Sequence, residues 1–292
     1  MALKLDMIDS GITTEVSRPF SNTISQSAGR FYYDRAQRSS TTSMTNGHYH
    51  NMYEIYFLAL GRCRYFIGNK LFEVEAGDLV LIPRGTIHKT IYLNTATDRH
   101  LLNFSASYIP PSLLTESRSL FEQTVYRPSK SLLPDIASIF GKIAAEHRKS
   151  DAYSKLLLSG YMTELFSLML RNPSSGGAGR RTDTPIERAT QYISANYQSP
   201  LTLEQVAAQV SLSPSYFSRL FKSTTGFGFK EYLTLLRLKQ AQTLLIHTDL
   251  SICEIAYECG FNDSNYFSSV FREFNDISPL NYRKKKHGTS EK

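Results

Sequence analysis

LTLEQVAAQVSLSPSYFSRLFKSTTG, residues 201–226, is followed 49 residues further along the chain by a second copy of the same pattern, LSICEIAYECGFNDSNYFSSVFREFND, residues 250–276. In each copy, apolar residues at helical spacing lead into a tight turn and then into a second helix with its own apolar face. This order of helix, turn and helix is typical of a unit that reads DNA. Because the pattern occurs twice at a fixed spacing, it predicts a DNA-binding domain built from two such units.

Within each copy, residue type separates an inner helix face from an outer one. Apolar residues at the i, i+3, i+4 spacing are predicted to face the core: Phe217, Leu220 and Phe221 in the first copy, and Phe267, Val270 and Phe271 in the second. The polar residues between them then face outward: Ser215, Tyr216, Ser218, Arg219 and Lys222, and Ser264, Asn265, Ser268, Ser269 and Arg272. Arginine can pair with guanine, asparagine with adenine and serine with either, so these faces suit a major groove. The alternative is that they are ordinary solvated helix faces.

The residues around the turns support these helix boundaries. Ser213 offers a hydroxyl that can cap the second helix of the first copy, and Pro214 fits the first position of that helix. In the second copy, Gly260 can take a positive φ at the turn, and Asn262 or Asp263 is predicted to cap the helix.

A long helix is predicted between the two copies, over FKEYLTLLRLKQAQTLLIHT, residues 229–248. Its apolar positions are Tyr232, Leu235, Leu236, Leu238 and Leu245. Such a helix would hold the two units about one turn of DNA apart, so that both enter the major groove on one side of the duplex.

Residues 185–285 resemble the DNA-binding domain of the AraC/XylS family of bacterial transcription regulators, through the motifs SPSYFSRLFK, YLTLLRLKQAQTLL, EIAYECGFNDSNYFSSVFREF and SPLNYR. The resemblance implies contacts with base edges at four positions: Ser215, Arg219, Asn265 and Ser269. The chain departs from the family at Gly228-Phe229, where a Ser-Pro pair is usual. The start of the long helix is therefore expected to be set differently here.

The formal net charge of +7 does not by itself locate the DNA-binding part. Residues 183–292 hold 12 Lys/Arg against 11 Asp/Glu, whereas residues 1–182 hold 21 against 15. Contacts with phosphates must therefore come from the local placement of a few basic residues. The candidates are Arg219, Lys222, Arg237, Lys239 and the basic run 283–286, which could also be a solvated terminus.

The N-terminal part changes from strand spacing to helical spacing. Between residues 47 and 104, short apolar segments alternate with turn residues, which is typical of a β-sandwich or a small barrel. From residue 132 two apolar helix faces are predicted: Leu133, Ile136, Ile139, Phe140 and Ile143 on one helix, and Tyr153, Leu157, Tyr161, Leu165 and Leu168 on the next. These helices are expected to dock on the barrel, and they could also form a dimer interface.

A second informative pattern lies in HYHNMYEIYFLALG, residues 48–61, and GDLVLIPRGTIH, residues 77–88. Equal parity places His48, His50 and Glu54 on one face of a predicted strand, and a neighbouring strand could add His88. Three imidazoles and one carboxylate suit a divalent Fe, Mn, Ni or Zn ion. The alternative is that the four side chains line a pocket and hydrogen-bond a small molecule, so that no metal is required.

These two stretches resemble the paired motifs of the cupin superfamily of small β-barrels. Thr42 stands where the first motif usually has Gly, and Tyr92 where the second usually has Asn. AraC-type regulators often carry a cupin-like sensor domain that binds a small molecule without a metal. Further polar or aromatic candidates near a pocket are Tyr56, Tyr65, Arg84, Arg99 and His100.

The predicted fold class is α+β multidomain, with a cupin-like β-barrel and flanking helices followed by an all-α domain. RNPSSGGAGRRTDTP, residues 171–185, has the composition of a flexible linker. The predicted parts are the ligand-sensing barrel with an N-terminal arm (1–130), the amphipathic helices (131–171), the linker (172–184) and the tandem helix-turn-helix domain (185–286).

These patterns together predict a sequence-specific transcription regulator, an activator by family resemblance, that responds to a small molecule such as a sugar. Its expected partners are double-stranded promoter DNA, the effector, RNA polymerase and a second copy of the chain. No apolar run approaches the ~20 residues that span a bilayer, and three cysteines without CxxC spacing favour the cytoplasm. The alternative is a cupin metalloenzyme with a DNA-binding appendage. That alternative rests on the His/Glu pattern alone, so we predict no enzyme activity.

Overall fold

The computed structural model describes residues 31–38, 48–93, 95–149, 151–174 and 184–287. The predicted N-terminal arm, Thr42 and most of the predicted linker lie outside these residues. Among the described helices, none is long and apolar enough to cross a membrane.

The N-terminal part is built from two antiparallel sheets. The strands are β1 (Phe31–Arg38), β2 (Tyr53–Leu60), β3 (Arg62–Ile67), β4 (Lys70–Glu75), β5 (Leu79–Ile82), β6 (His88–Tyr92), β7 (Thr97–Phe104) and β8 (Val125–Tyr126). The larger sheet has the order β1-β7-β2-β5-β8, and the smaller one β4-β3-β6. β1 lies upstream of the predicted strand region, because its sequence FYYDRAQR is too polar to stand out as a strand.

The alternation along β2 shows where the two cores of this domain lie. Ile55 and Phe57 point to the face of the larger sheet that the helices cover. Tyr56 and Leu58 point to the opposite face, where they pack with Cys63 and other residues of the smaller sheet. The space between the sheets is therefore the interior of the predicted cupin-like barrel.

Three helices cover the larger sheet: α1 (Leu114–Gln123), α2 (Leu133–His147) and α3 (Ser154–Arg171). The apolar face predicted for α2 is confirmed, since Ile136, Ile139, Phe140 and Ile143 are buried.

The face predicted for α3 is wrong at its first two positions, whereas Tyr161 and Leu168 are partly buried and pack against the core. Tyr153 is 72% exposed and Leu157 41% exposed, whereas Leu165 alone of the predicted set is buried. The buried residues are Ser154, Leu158, Met162, Leu165, Phe166 and Met169. Because α3 carries apolar residues on neighbouring faces, periodicity left its orientation open, and packing selects a face that overlaps the predicted one at Leu165.

The C-terminal part consists of seven helices in the described range: α4 (Pro185–Asn196), α5 (Leu203–Gln209), α6 (Pro214–Thr225), α7 (Phe229–His247), α8 (Ile252–Glu258), α9 (Ser264–Asn275) and α10 (Pro279–His287). The helix pairs α5–α6 and α8–α9 are the two repeated units, and α7 is the predicted long helix between them. The inner faces of α6 and α9 are as predicted, with Phe217, Phe221, Phe267 and Phe271 fully buried. The fold class predicted from the sequence is confirmed.

The two repeats use left-handed backbone at the same two places. Ser211 (φ 58°) and Gly260 (φ 86°) occupy the turn inside each unit, and Gly226 (φ 78°) and Asp276 (φ 59°) follow α6 and α9. Each unit therefore has a glycine at one of these places and a residue with a Cβ at the other.

The helix caps also differ between the repeats. Ser213 stands at the N-cap of α6 but makes no side-chain capping hydrogen bond, so that part of the prediction is wrong. Pro214 does stand at the first helical position, as predicted, where its fixed φ suits the helix. In the second unit, the Asp263 carboxylate accepts from the Tyr266 backbone N–H at 2.5 Å, which decides between the two predicted caps.

Candidate functional site

The predicted reading faces of α6 and α9 lie on the surface. On α6 all five predicted residues are exposed: Ser215, Tyr216, Ser218, Arg219 and Lys222. On α9, Asn265, Ser269 and Arg272 are exposed. Ser264 and Ser268 are partly buried. The prediction left Tyr266 out of the α9 face, although it is 58% exposed. Tyr266 is equivalent to Tyr216, which is 48% exposed, so the 50-residue offset between the repeats could have identified it.

Several basic residues proposed for phosphate contact have other roles. The guanidinium of Arg237 donates to the carbonyls of Tyr197 at 2.8 Å and Ser199 at 3.0 Å, so it ties α7 to the loop after α4. Burial lowers the pKa of Lys239. The basic run 283–286 belongs to α10 rather than to a free tail, and Arg283 donates to the carbonyl of Leu250. Arg219 and Lys222 are exposed, and so are Lys239, Lys284 and Lys285.

The four side chains of the His/Glu pattern come together in the N-terminal domain. One ligand atom from each of His48, His50, Glu54 and His88 lies within 4.8 Å of the others. The predicted route to this arrangement is wrong in one respect, because His48 and His50 precede the strand that carries Glu54. His48 is instead placed by a backbone bridge to His88, with N···O distances of 3.2 and 3.0 Å. We call these four residues the histidine–carboxylate cluster.

Backbone carbonyls fix the orientation of two imidazoles in this cluster. His50 Nδ1 lies 3.1 Å from the Met52 carbonyl, and His88 Nδ1 lies 2.7 Å from the Thr86 carbonyl. A carbonyl can only accept, so each Nδ1 carries the hydrogen and each Nε2 is directed inward. These Nε2 atoms lie 3.1 and 3.4 Å from Oε2 of Glu54. Because an ionised carboxylate can only accept, a proton or a bound cation is needed between Oε2 and these nitrogens.

The carboxylate of Glu54 is held from its other side. The Tyr65 hydroxyl donates to Oε1 at 2.9 Å, which leaves Oε2 directed at the imidazoles. Burial acts to raise the pKa of Glu54, but His88 and His50 outweigh it, so this pKa lies well below its usual value. Burial acts to lower the pKa of His88, and the Glu54 carboxylate reverses this, so this pKa is raised. Glu54 and His88 therefore each favour the charged form of the other inside the barrel.

The donor set fits a divalent transition metal. All four ligand atoms lie within 4.8 Å of one another, and imidazole nitrogens with a carboxylate oxygen are donors that such metals accept. Imidazoles that donate Nδ1–H to carbonyls, and a carboxylate held by a hydroxyl, are the outer partners that metal ligands usually have. His48, His50, Glu54 and His88 would supply the bonds to the metal.

Among the further pocket candidates, Tyr65 alone contacts the cluster through a hydrogen bond. The others have different partners: Tyr56 packs on the Tyr65 ring, Arg84 lies over Tyr53, Arg99 pairs with Asp34 at 2.7 Å, and His100 bonds Tyr33 at 2.8 Å. Sequence reasoning missed Asn103, which pairs with Glu54 in the register of β2 and β7. Its amide is fully buried, and neither polar atom has a hydrogen-bond partner among the described residues. Its place as the polar residue in LLNF was the signal available.

Comparison with known proteins agrees with this architecture. Residues 33–166 match the family described as AraC-like ligand binding domain, and residues 206–285 match the family described as Helix-turn-helix domain. The chain belongs to the AraC family of transcription regulators. The resemblance stated from the sequence is thus confirmed for both halves of this AraC family member.

Three relatives show how the similarity is distributed. The chain is 45% identical over 107 residues to the uncharacterized HTH-type transcriptional regulator YijO of Escherichia coli K12, covering 37% of this chain and 38% of that protein. It is 39% identical over 124 residues to the regulatory protein PocR of Salmonella typhimurium, covering 40% and 41%. It is 26% identical over 245 residues to the HTH-type transcriptional activator RhaR of Mannheimia succiniciproducens, covering 81% and 86%. The first two matches thus span about two fifths of those relatives.

Proposed function

We propose that this protein is a transcription activator that binds double-stranded promoter DNA through α6 and α9 and responds to a ligand at the histidine–carboxylate cluster. One observation supports the DNA-binding part most directly. α6 and α9 have equivalent buried faces, but their exposed polar residues differ, with Arg219 on α6 and Asn265 on α9. Arginine pairs best with guanine and asparagine with adenine, so the two helices would read different base sequences.

The spacing of the two units suits neighbouring segments of one groove. α7 has 19 residues, which corresponds to a length of about 28 Å. Successive major-groove segments on one side of DNA lie about 34 Å apart. We therefore expect one protomer to cover an asymmetric site of roughly two groove segments.

Selection from a random duplex pool with the full chain tests this proposal. We expect one enriched sequence with two separated blocks, and a gel-shift affinity that Arg219→Ala weakens at one block. Arg118→Ala is the matched control, because Arg118 is exposed on α1, far from the reading helices in sequence. An unenriched pool, or equal effects of the two variants, would contradict the assignment.

The ligand we propose for the cluster is a divalent transition metal ion. Protein purified without chelator and then titrated with Mn²⁺, Ni²⁺ or Zn²⁺ should bind one ion per chain. Glu54→Gln should abolish that binding, while Glu73→Gln on β4 should not. A Cys253→Ser background removes the exposed thiol as a competing site. If Glu54→Gln still bound one ion per chain, or if the wild type bound none, the proposal of a metal ligand would be refuted.

A small oxygen-rich molecule such as a sugar is the second candidate ligand, favoured by the buried, unpartnered amide of Asn103. Asn103→Leu should weaken binding of such a molecule without changing the number of ions bound per chain. One titration series therefore distinguishes the two ligands. A response to neither ligand would leave the DNA-binding proposal standing and remove the sensing one.

Dimerisation and contact with RNA polymerase are further parts of this proposal. Exposed apolar side chains at the start of α3 support a contact with a second copy: Tyr153, Leu156 and Leu157. The relatives carry names of regulators, which favours regulation over the metalloenzyme alternative. A cytoplasmic location follows from this role.

A further inference from the structure

We infer that Tyr49 and Lys89 carry the state of the histidine–carboxylate cluster to the two reading helices. This inference rests on the proposed function. Both residues stand directly beside cluster residues, in His48-Tyr49-His50 and in His88-Lys89. Successive side chains of extended backbone point to opposite sides. A shift of the imidazoles therefore moves the backbone from which the neighbouring side chains reach outward.

Lys89 reaches the end of the first reading helix. Its side chain is buried, with the residue 6% exposed, although it belongs to the N-terminal domain. The ammonium donates to the carbonyl of Gly226, the C-cap residue of α6, at 2.5 Å, and lies 5.1 Å from the Phe227 ring centre. Helix C-termini carry partial negative charge, so a buried ammonium there holds the end of α6 firmly.

Tyr49 reaches the end of the second reading helix. The residue is 2% exposed, and its ring centre lies 4.9 Å from that of Phe274 in the last turn of α9. Phe274 is buried in the core of the C-terminal domain, and Tyr49 belongs to the same apolar cluster. The N-terminal domain thus contacts the C-terminal ends of both reading helices, one through each segment that carries cluster histidines.

A third contact joins the N-terminal domain to α7, the helix between the two helix-turn-helix units. The Tyr232 hydroxyl of α7 donates to the Gly68 carbonyl at 2.9 Å, and the Phe66 ring packs against both Phe227 and Tyr232 at 5.8 Å. Phe66 lies near the end of β3 and Gly68 in the turn after it, and β3 pairs with β6, which places Phe66 opposite Lys89. The contact with α7 therefore comes from the strand next to the one that carries His88 and Lys89.

This arrangement gives an ion a way to act on DNA binding without touching DNA. Drawing the four ligand atoms onto one ion would shift residues 48–50 and 88–89, from which Tyr49 and Lys89 reach the helices. The ends of α6 and α9 would then move relative to α7, and the relative orientation of the two reading faces would change. A ligand alters DNA affinity only if it binds two such arrangements differently.

Measuring DNA affinity with and without saturating Mn²⁺ or Zn²⁺ tests the inference on the full chain. We expect the ion to change the affinity of the wild type for its selected duplex by about fivefold or more. Lys89→Met and Tyr49→Ala should each bring this ratio close to one while one ion per chain still binds. Lys89→Arg and Tyr49→Phe should retain most of the ratio, and Lys130→Met, at an exposed site, should retain all of it.

An unchanged ratio in both Lys89→Met and Tyr49→Ala would overturn the inference and leave the proposed function intact. A wild type with no ion dependence would overturn ion sensing and the coupling together. Should the substitutions prevent folding, hydrogen exchange of the wild type decides the matter. We expect ion addition to change amide protection at residues 222–227 and 271–276, and unchanged protection there would overturn the inference.

Discussion

The two domains place their functional polar groups in opposite ways. In the C-terminal domain, the side chains proposed to read DNA are exposed on helices whose inner faces are fully buried, as with Arg219 and Phe217. In the N-terminal domain, the groups proposed to bind a ligand are inside the barrel, where Glu54 and His88 are 2% and 1% exposed. Exposed groups cost folding little, whereas buried charges cost much unless they are paired. The reading face should therefore be separable from stability, and the cluster should not.

The largest expected effect is stabilisation by an ion. At an ion concentration of 1,000 times Kd, the free energy of unfolding should rise by about 4 kcal/mol, because the folded cluster binds the ion and the unfolded chain lacks the site. Glu54→Gln should abolish the gain, and Arg219→Ala should leave it intact. Denaturant unfolding with ion and with chelator measures both. Equal unfolding midpoints for the wild type with ion and with chelator would show that the cluster binds no stabilising ion.

Acid should weaken the N-terminal domain before the reading domain. Burial lowers the pKa of His100 to about 4, whereas His247 in the C-terminal domain is exposed. An unfolded His titrates near 6.5, so above that pH the group has no effect, and stability is lost as pH falls from about 6.5 to about 4. The loss is at most about 3 kcal/mol. His100→Asn should flatten this slope in unfolding measured between pH 7 and pH 4, and an unchanged slope would contradict the assignment.

The reading domain should be sensitive at its turns instead. A Cβ on Gly260 would lie 2.6 Å from the Gln198 carbonyl oxygen at a positive φ, so Gly260→Ala should cost roughly 2–3 kcal/mol. Ser211 takes the equivalent conformation with a Cβ, and Ser211→Gly should stabilise by no more than about 1 kcal/mol. Thermal unfolding of the two variants would show opposite shifts. Equal tolerance at both turns would mean that the repeats are less alike than their backbones indicate.

The smallest expected effect on stability belongs to a substitution on the reading face, which should still lower DNA affinity. Arg219→Ala should weaken binding of the selected duplex by about 1–3 kcal/mol and relax base preference at one position. Its unfolding midpoint should match that of the wild type, because Arg219 lies on an exposed face. Loss of stability comparable to the loss of affinity would show that the reading face also supports the fold.

How far the sequence predicts each domain follows from the same contrast. The helix-turn-helix units were predictable because their spacing is local and repeated, as in Phe217 and Phe267. The convergence of the four cluster residues was predictable from the motifs, but its route was not, since the backbone bridge between His48 and His88 joins residues 40 positions apart. The contacts of Tyr49 and Lys89 were not predictable, because both depend on how one domain packs against the other.

The central claim is that the cluster and the reading helices are coupled, and ion affinity measured with and without DNA tests it most directly. Coupling is reciprocal, so the selected duplex should change the Kd of Mn²⁺ or Zn²⁺ by the same factor by which the ion changes the Kd of the duplex. Isothermal titration of the full chain gives both constants. Matching factors of about fivefold or more would support the account, and an ion Kd that is the same with and without DNA would contradict it.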